Sequence, residues 1–484
     1  MKNQDVINGA TSSLPATSFA RFTAYRVKNA EVVWKNKQLI KEYGFVDKPD
    51  IDSWLLNEFA YSSLDTFYTD KASDQSIFFA ERYGGQLIAS NGGGGRAGLK
   101  GQFQCKGIGP TPLINQMGIA QYSIGVATLK EMLNEALWGE VCHTLLPYGA
   151  VRCLAIIDLN HTNENNEKCA IAVRENELRL AHFELSPYFI PDNTSDFVSE
   201  THRAKLSIEA FPECFKSAFG SYPGFRSSME LILDRYAKQL AYARFFRICH
   251  GSLTSSNIGL TGKYLDFGTI SSLGTYENII TSMGNIGFLK EEDNIFESII
   301  NFIDGYNWYS IYENENSTDY CVFFSRSLNK HLRQVFLTSI GLIKNKHFYE
   351  EKKSIETFEL IYRYLTMGGN REVYGVTYHN KGSCYHKIES LFNILKNKSR
   401  KNGIEDRIFR LASELKISDS NFDEINLEKR CSLFLTGRFN LDFLHYDKIR
   451  EDIDLILTLN DKNFHVNCYI SEILSKTKQL RDFL

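Results

Sequence analysis

Three short elements in a fixed order constrain this 484-residue chain more than anything in its composition. A glycine run, Gly92-Gly93-Gly94-Gly95, leads into Arg96 and Ala97. Lys106 follows in the apolar-alternating stretch Phe103-Gln104-Cys105-Lys106-Gly107. Far downstream, His250-Gly251 opens a loop that reaches Asn257 and then Asp266-Phe267-Gly268. Consecutive glycines let a backbone take positive φ and approach a ligand without Cβ clashes, so their free N–H groups can cover phosphates. Arg96 and Lys106 supply the cations that phosphate needs once it is partly removed from water. Asn257 and Asp266 offer one oxygen ligand each on either side of a tight turn. Magnesium needs few protein ligands, because water and phosphate fill the rest. This combination predicts a metal–nucleotide site.

Composition sets limits. A hydrophobic fraction of 43% and a charged fraction of 23% are ordinary for a globular protein of two or more sub-domains. A net charge of −3 shows no basic excess, so no nucleic-acid partner is expected. No apolar run reaches the ~18 residues a membrane span requires. The start, Met1-Lys2-Asn3-Gln4-Asp5, lacks the apolar stretch of a secretory signal. The ten cysteines form no CxxC pair and read as reduced, mostly buried thiols of a cytoplasmic protein. His379, Cys384 and His386 lie close together but have no second ligand cluster, so no metal site is expected there.

Residues 1–75 read as an N-terminal extension with a helix near Val32–Tyr43. From 76 to 185, apolar runs such as Ser76–Phe79 and Cys153–Ile157 alternate with turns, as in a small sheet. Between them, apolar residues at 129, 132, 133, 136, 137, 141 and 145 have a helical period over Thr128–Leu146. That helix offers Glu131, Glu135 and Glu140 as partners for an inward-pointing Lys106. Residues 159–168 read as a hairpin tip. The chain turns helical after Ser186-Pro187, through a second unit at 186–330 and a helical region at 331–484. Ser227 and Glu230 fit a capping box for a helix ending near Phe246. The basic break Lys396–Gly403 is the best linker candidate.

Several ordered blocks resemble the selenoprotein O family of pseudokinases. Tyr83-Gly84-Gly85-Gln86, Gly93-Gly94-Gly95-Arg96-Ala97 and Lys106-Gly107-Ile108-Gly109-Pro110-Thr111-Pro112 are similar to its N-terminal motifs. The helix from Thr128 to His143, then Leu178–Glu184, His250–Asn257 and Leu265–Gly268, continue the likeness over roughly residues 80–270. The resemblance implies a protein-kinase-like two-lobed α+β fold with a helical C-terminal extension. It implies ATP and magnesium as cofactors, and AMP transfer to a protein or peptide acceptor. It selects Glu135 as the partner of Lys106. It implies phosphate contacts from Lys106, Arg179 and Arg174, and metal ligation by Asn257 and Asp266. Gly93, Gly94, Gly95 and Arg96 would close over the nucleotide.

The departures carry their own expectation. Ser256 stands where the family has an Asp that serves as candidate general base, and Gly94 replaces an acidic residue. Thr269-Ile270-Ser271-Ser272 breaks the continuation, no cysteine stands at the Arg481–Leu484 end, and nothing beyond about residue 290 matches. A hydroxyl acceptor needs a base, typically worth ~10²–10⁴ in rate. A carboxylate needs none. The pattern therefore points to activation of a peptide C-terminal carboxylate, as in the maturation of siderophore-linked microcins beside an acyltransferase-like partner. The rivals are a kinase-type phosphotransferase and a non-catalytic scaffold.

Overall fold

The computed structural model describes residues 7–46, 48–67, 74–85, 91–115, 125–190, 197–281, 284, 286–310, 314–343, 350–367, 373–374, 383–396, 403–418, 423–435 and 439–484. The architecture is a two-lobed, kinase-like α+β fold. An eight-stranded antiparallel sheet dominates the first lobe. Its strands are β1 (Phe19–Arg26), β2 (Glu31–Lys35), β3 (Tyr61–Ser62), β4 (Gln75–Glu81), β5 (Ala97–Lys100), β6 (Phe103–Lys106), β7 (Cys153–Thr162) and β8 (Lys168–Glu175). The spatial order is β2-β7-β8-β6-β5-β4-β1-β3. Three strands thus come from residues 19–62, ahead of position 76 where the sheet was expected to begin.

The expected helix at Val32–Tyr43 is instead β2 followed by α1 (Lys37–Glu42). Val32, Val33 and Trp34 are β-branched or aromatic and sit beside β7. Asn36 then accepts from Leu39 N at 3.0 Å and starts the helix.

Period-2 alternation divides the sheet between two cores. Cys169, Ile171 and Val173 of β8 join Phe103 and Cys105 of β6 against α1 and α2 (Ile51–Phe59). Ala170 and Ala172 face the other way, toward α3 (Leu129–Leu145). The β6–β8 register pairs Gln104 with Arg174 and Lys106 with Ala172, so Gln104, Lys106 and Arg174 share the α3 face.

Helix α3 is fixed at its start by a capping box between Thr128 and Glu131. The sheet covers one side of it and helices cover the other, so thirteen of its residues are buried, Glu135 and Glu140 among them.

The second lobe is built from α4 (Glu200–Glu209), α5 (Phe211–Phe219), α6 (Phe225–Phe245), α7 (Glu291–Tyr309) and α8 (Ser317–Ser339), with α6 lying along α8. Helix α6 begins at Phe225 after Gly224, not at the Ser227 capping box. Gly224 at φ +100° supplies the turn, and Ser228 Oγ donates back to its carbonyl at 2.7 Å. Helices α9 (Lys352–Thr366), α10 (Ser383–Leu395), α11 (Gly403–Ser418) and α12 (Glu424–Leu435) follow. The last two, α13 (Tyr446–Leu457) and α14 (Lys462–Leu480), return to pack on α3.

Residues 397–402 of the expected linker lie outside the described residues, as do His379 and the side chains of Cys384 and His386. Among the described residues, no helix is long and apolar enough to cross a membrane. The described cysteines are unpaired thiols, and Cys105, Cys142, Cys153, Cys169, Cys214 and Cys249 are buried.

Candidate nucleotide site

Lys106 projects from the end of β6 between two carboxylates. Its Nζ donates to Glu135 Oε2 and to Asp266 Oδ1, each at 2.9 Å. The ammonium is buried, as is Glu135, while the Asp266 side chain keeps 44% of its surface open. Glu135 also accepts from Arg174 Nη1 and from the backbone N–H of Phe267 at 3.4 Å. Asn134 donates to the Phe267 carbonyl at 2.9 Å, so two successive residues of α3 grip the backbone of Phe267. Burial opposes the charge on Glu135, but Lys106 and Arg174 overcome it and hold its carboxyl below the ordinary range. The same contest at Asp266 is won by Lys106, with Arg174 and Arg96 behind it, so its carboxyl lies well below the usual range.

Asp266 reaches this position from a tight hairpin. Leu265 N bonds Asn257 O at 3.1 Å, Gly259 N bonds Lys263 O at 2.8 Å, and Ile258 bridges Tyr264. Asp266 itself takes φ +63°, a left-handed conformation that Asp tolerates better than most residues. His250 steadies the turn by donating through Nε2 to Leu265 O at 3.0 Å. The Asn257 Nδ2 donates to Ser252 O at 2.8 Å, which commits the amide nitrogen, while Oδ1 accepts a long bond from Ser256 Oγ at 3.4 Å. A carboxylate and an amide oxygen on the two arms of a hairpin are the kind of group a hard divalent cation that keeps several waters takes.

Arg174 does not open to the cleft. Its guanidinium is buried against Glu135 and against Gln104 Oε1, which its Nε meets at 2.8 Å. Arg179 is buried as well, with Nη1 on Ser256 O at 3.1 Å, Nη2 on Glu81 Oε2 at 3.3 Å, and the Tyr83 ring 4.3 Å from its Cζ. Arg96 donates to Val126 O at 3.3 Å and lies 3.6 Å from Glu131.

The glycine run differs from expectation. Gly92 N, Gly94 N and Gly95 N donate to the carbonyls of Leu113, Glu81 and Gly93 at 2.8–2.9 Å. These amides are spent on the protein, not left free for phosphate. The requirement for glycine is steric: a Cβ on Gly93, at φ +136°, would lie 2.1 Å from Glu81 O.

The profile of the family described as Protein adenylyltransferase SelO matches residues 7–283, more than half of the chain. The chain belongs to this family. Among individual SelO-like relatives, the Protein nucleotidyltransferase YdiU of Pseudoalteromonas atlantica is 25% identical over 240 residues, covering 46% of each chain. That of Azotobacter vinelandii is 27% identical over 186 residues, covering 37% of this chain and 35% of the relative. That of Shewanella frigidimarina is 28% identical over 177 residues, covering 36% and 33%. The matches thus span less than half the length of these relatives.

Beneath this SelO-family site lies a network that sequence reasoning missed. Glu81 accepts from Gln104, stands 3.3 Å from Arg179, and faces His182 Nε2 at 3.4 Å. Burial pushes the His182 ring toward its neutral form, and its Nδ1 accepts from Arg179 N at 3.0 Å. Gln104 had a signal: two positions before Lys106 on one strand, it must share that face. Glu81 had none, because its partners lie far away in sequence.

Proposed function

We propose that this chain is an ATP- and magnesium-dependent adenylyltransferase that transfers AMP to a protein or peptide acceptor. The observation that carries the reading is Lys106 held between Glu135 and Asp266 in a chain of the SelO family. In this reading Lys106 and Arg179 bind phosphates, while Glu135 orients Lys106. Arg174 acts from beneath, as a counter-charge on Glu135, and Arg96 closes the site. Asn257 and Asp266 hold the cation, which would neutralise charge on the phosphates and on departing pyrophosphate. Such transfer asks the protein for positioning and charge neutralisation more than covalent chemistry. A cytoplasmic location is supported by the buried, unpaired thiols.

The acceptor in this proposal is a peptide C-terminal carboxylate. Ser256 supports it. Its Oγ lies 2.8 Å from Thr254 Oγ1, 3.3 Å from Gly85 O and 3.4 Å from Asn257 Oδ1, a neutral environment with no base in contact among the described residues. A carboxylate oxygen can attack the α-phosphorus without losing a proton, breaking the bond to the bridging oxygen and releasing pyrophosphate. The product, an acyl-adenylate, is an acid activated for coupling by an acyltransferase-like partner, as microcin maturation would require.

The test uses ATP labelled on the α- or γ-phosphate, with peptides bearing free or amidated C-termini. Alpha label reaching only the free-carboxylate peptide is the expected result. Gamma label on the peptide means a phosphotransferase. No label with either, and equal function of Asp266→Ala in the native pathway, means a scaffold.

A further inference from the structure

The SelO match ends at residue 283, yet residues 439–480 return to the parts that position Lys106. At one end, this segment is latched to the strand Ser271–Ser272, which begins five residues after Asp266. Ser272 Oγ donates to Leu441 O at 2.7 Å, Tyr446 N to Ser271 Oγ at 2.9 Å, and Arg247 Nη2 to Phe439 O at 2.6 Å.

Farther on, α13 and α14 cover the outer side of α3. Leu133 and Leu137 meet Ile453, Ile456, Val466 and Ile470 across a seam whose residual cavity is about 10 Å³, room for no more than about one water molecule. Polar contacts fix the register. Lys130 pairs with Asp454. Lys462 Nζ lies 2.6 Å from the fully buried Asp158 Oδ2 of β7 and 2.5 Å from Glu31 Oε1 of β2. Asn467 Nδ2 donates to Val33 O at 3.3 Å.

We propose that residues 439–480 are a built-in clamp that holds Glu135 and Asp266 together on Lys106. A helix held on one side by a sheet can swing or slide unless its other face is also packed. Leu133 and Leu137, one helical turn apart, present that other face. Glu135 stands between them and points inward to Lys106. The same segment anchors the chain just past Asp266, so both carboxylates are held by one element. Val466, Ile470 and Lys462 are thereby positioning residues, acting through α3 and the sheet that carries Lys106.

The catalytic readout rests on the function proposed above, while the positional readout does not. The experiment compares full-length wild type with Val466→Ala/Ile470→Ala, Lys462→Met and Lys462→Arg. Hydrogen exchange is followed in α3, α14 and β1, calorimetry measures the Kd of a non-hydrolysable ATP analogue, and transfer assays separate KM for ATP from kcat. The double variant should lose at least tenfold protection in α3 with β1 unchanged, and its analogue Kd and KM should rise at least tenfold. Lys462→Met should move the same way, and Lys462→Arg should restore wild-type values. If α14 loosens while α3 exchange and analogue Kd stay within twofold of wild type, there is no clamp. A uniform rise that includes β1 also overturns it, as general destabilisation. Should wild type bind no nucleotide, the functional reading fails, and the α3 protection of Lys462→Met still decides the clamp.

Discussion

Lys106 and Asp266, 160 positions apart, meet at 2.9 Å across the cleft. Lys106 also bonds Glu135 at the same distance, so one ammonium joins strand, helix and hairpin. Lys106→Met removes that junction and leaves Glu135 to Arg174. Alpha-phosphate transfer should fall by at least ~10²-fold, as loss of a preorganised charge facing a transition state typically does. Parallel labelling assays of wild type and variant check this. Activity within threefold of wild type would remove Lys106 from the site.

Glu135 holds two buried cations at once, Lys106 and Arg174. Glu135→Gln leaves Lys106 and Arg174 facing each other with one counter-charge fewer. Breaking a buried pair in this way typically destabilises by about 3–5 kcal/mol. Chemical denaturation should show a loss of that order, together with a raised KM for ATP. The exposed Glu131→Gln, which keeps its capping role through the amide oxygen, should shift stability by less than about 0.5 kcal/mol.

Much of this site was legible in the sequence, and the reason is local periodicity. Alternation in Phe103–Lys106 decides which way Lys106 points, and helical spacing over Leu129–Leu145 makes the helix that carries Glu135. The turn between Asn257 and Asp266 is equally local. What could not be read is non-local. Glu81 becomes meaningful only once β4 lies beside Gln104 and Arg179. Within residues 19–62 the sequence suggested only a helix at Val32–Tyr43, because β1 and β2 depend on pairing with β4 and β7, and β3 on pairing with β1. The return of α13 and α14 to α3 has no sequence signal at all: apolar residues at helical spacing do not say which surface they will meet.

Glu184 should make stability depend on pH. Burial pushes its carboxyl up from 4.5 to about 7, while Ser255 Oγ donates to Oε2 at 2.8 Å and Oε1 has no partner among the described residues. Below pH ~4.5 the group is protonated folded and unfolded, and ionisation imposes no penalty. As pH rises toward 7 the unfolded chain gives up this proton first, so the contribution to stability falls until the folded group ionises too. The full difference is about 3 kcal/mol. Glu184→Gln keeps an acceptor for Ser255 and cannot ionise. Its melting temperature should exceed that of wild type at pH 8, and the gain should vanish below about pH 4. An equal difference at both pH values would mean that Glu184 is not held protonated.

Ser256 is where the choice of acceptor can be tested from the other side. Its Oγ contacts Thr254, Gly85 and, at 3.4 Å, Asn257 Oδ1, and its carbonyl accepts from Arg179. A carboxylate introduced there would face Arg179 and Asn257, and could take the proton that a hydroxyl acceptor must lose. Ser256→Asp should therefore raise AMP transfer to a serine- or tyrosine-bearing peptide by ~10²-fold or more, the usual contribution of a positioned base. Transfer to a free C-terminal carboxylate should change by less than threefold, since that nucleophile has no proton to give. Rates for both acceptors at pH 7 and 8 separate the two effects, because a base-dependent gain shrinks as the acceptor ionises by itself. If wild type already modifies hydroxyl peptides as fast as Ser256→Asp does, the missing base is immaterial and the carboxylate reading loses its support.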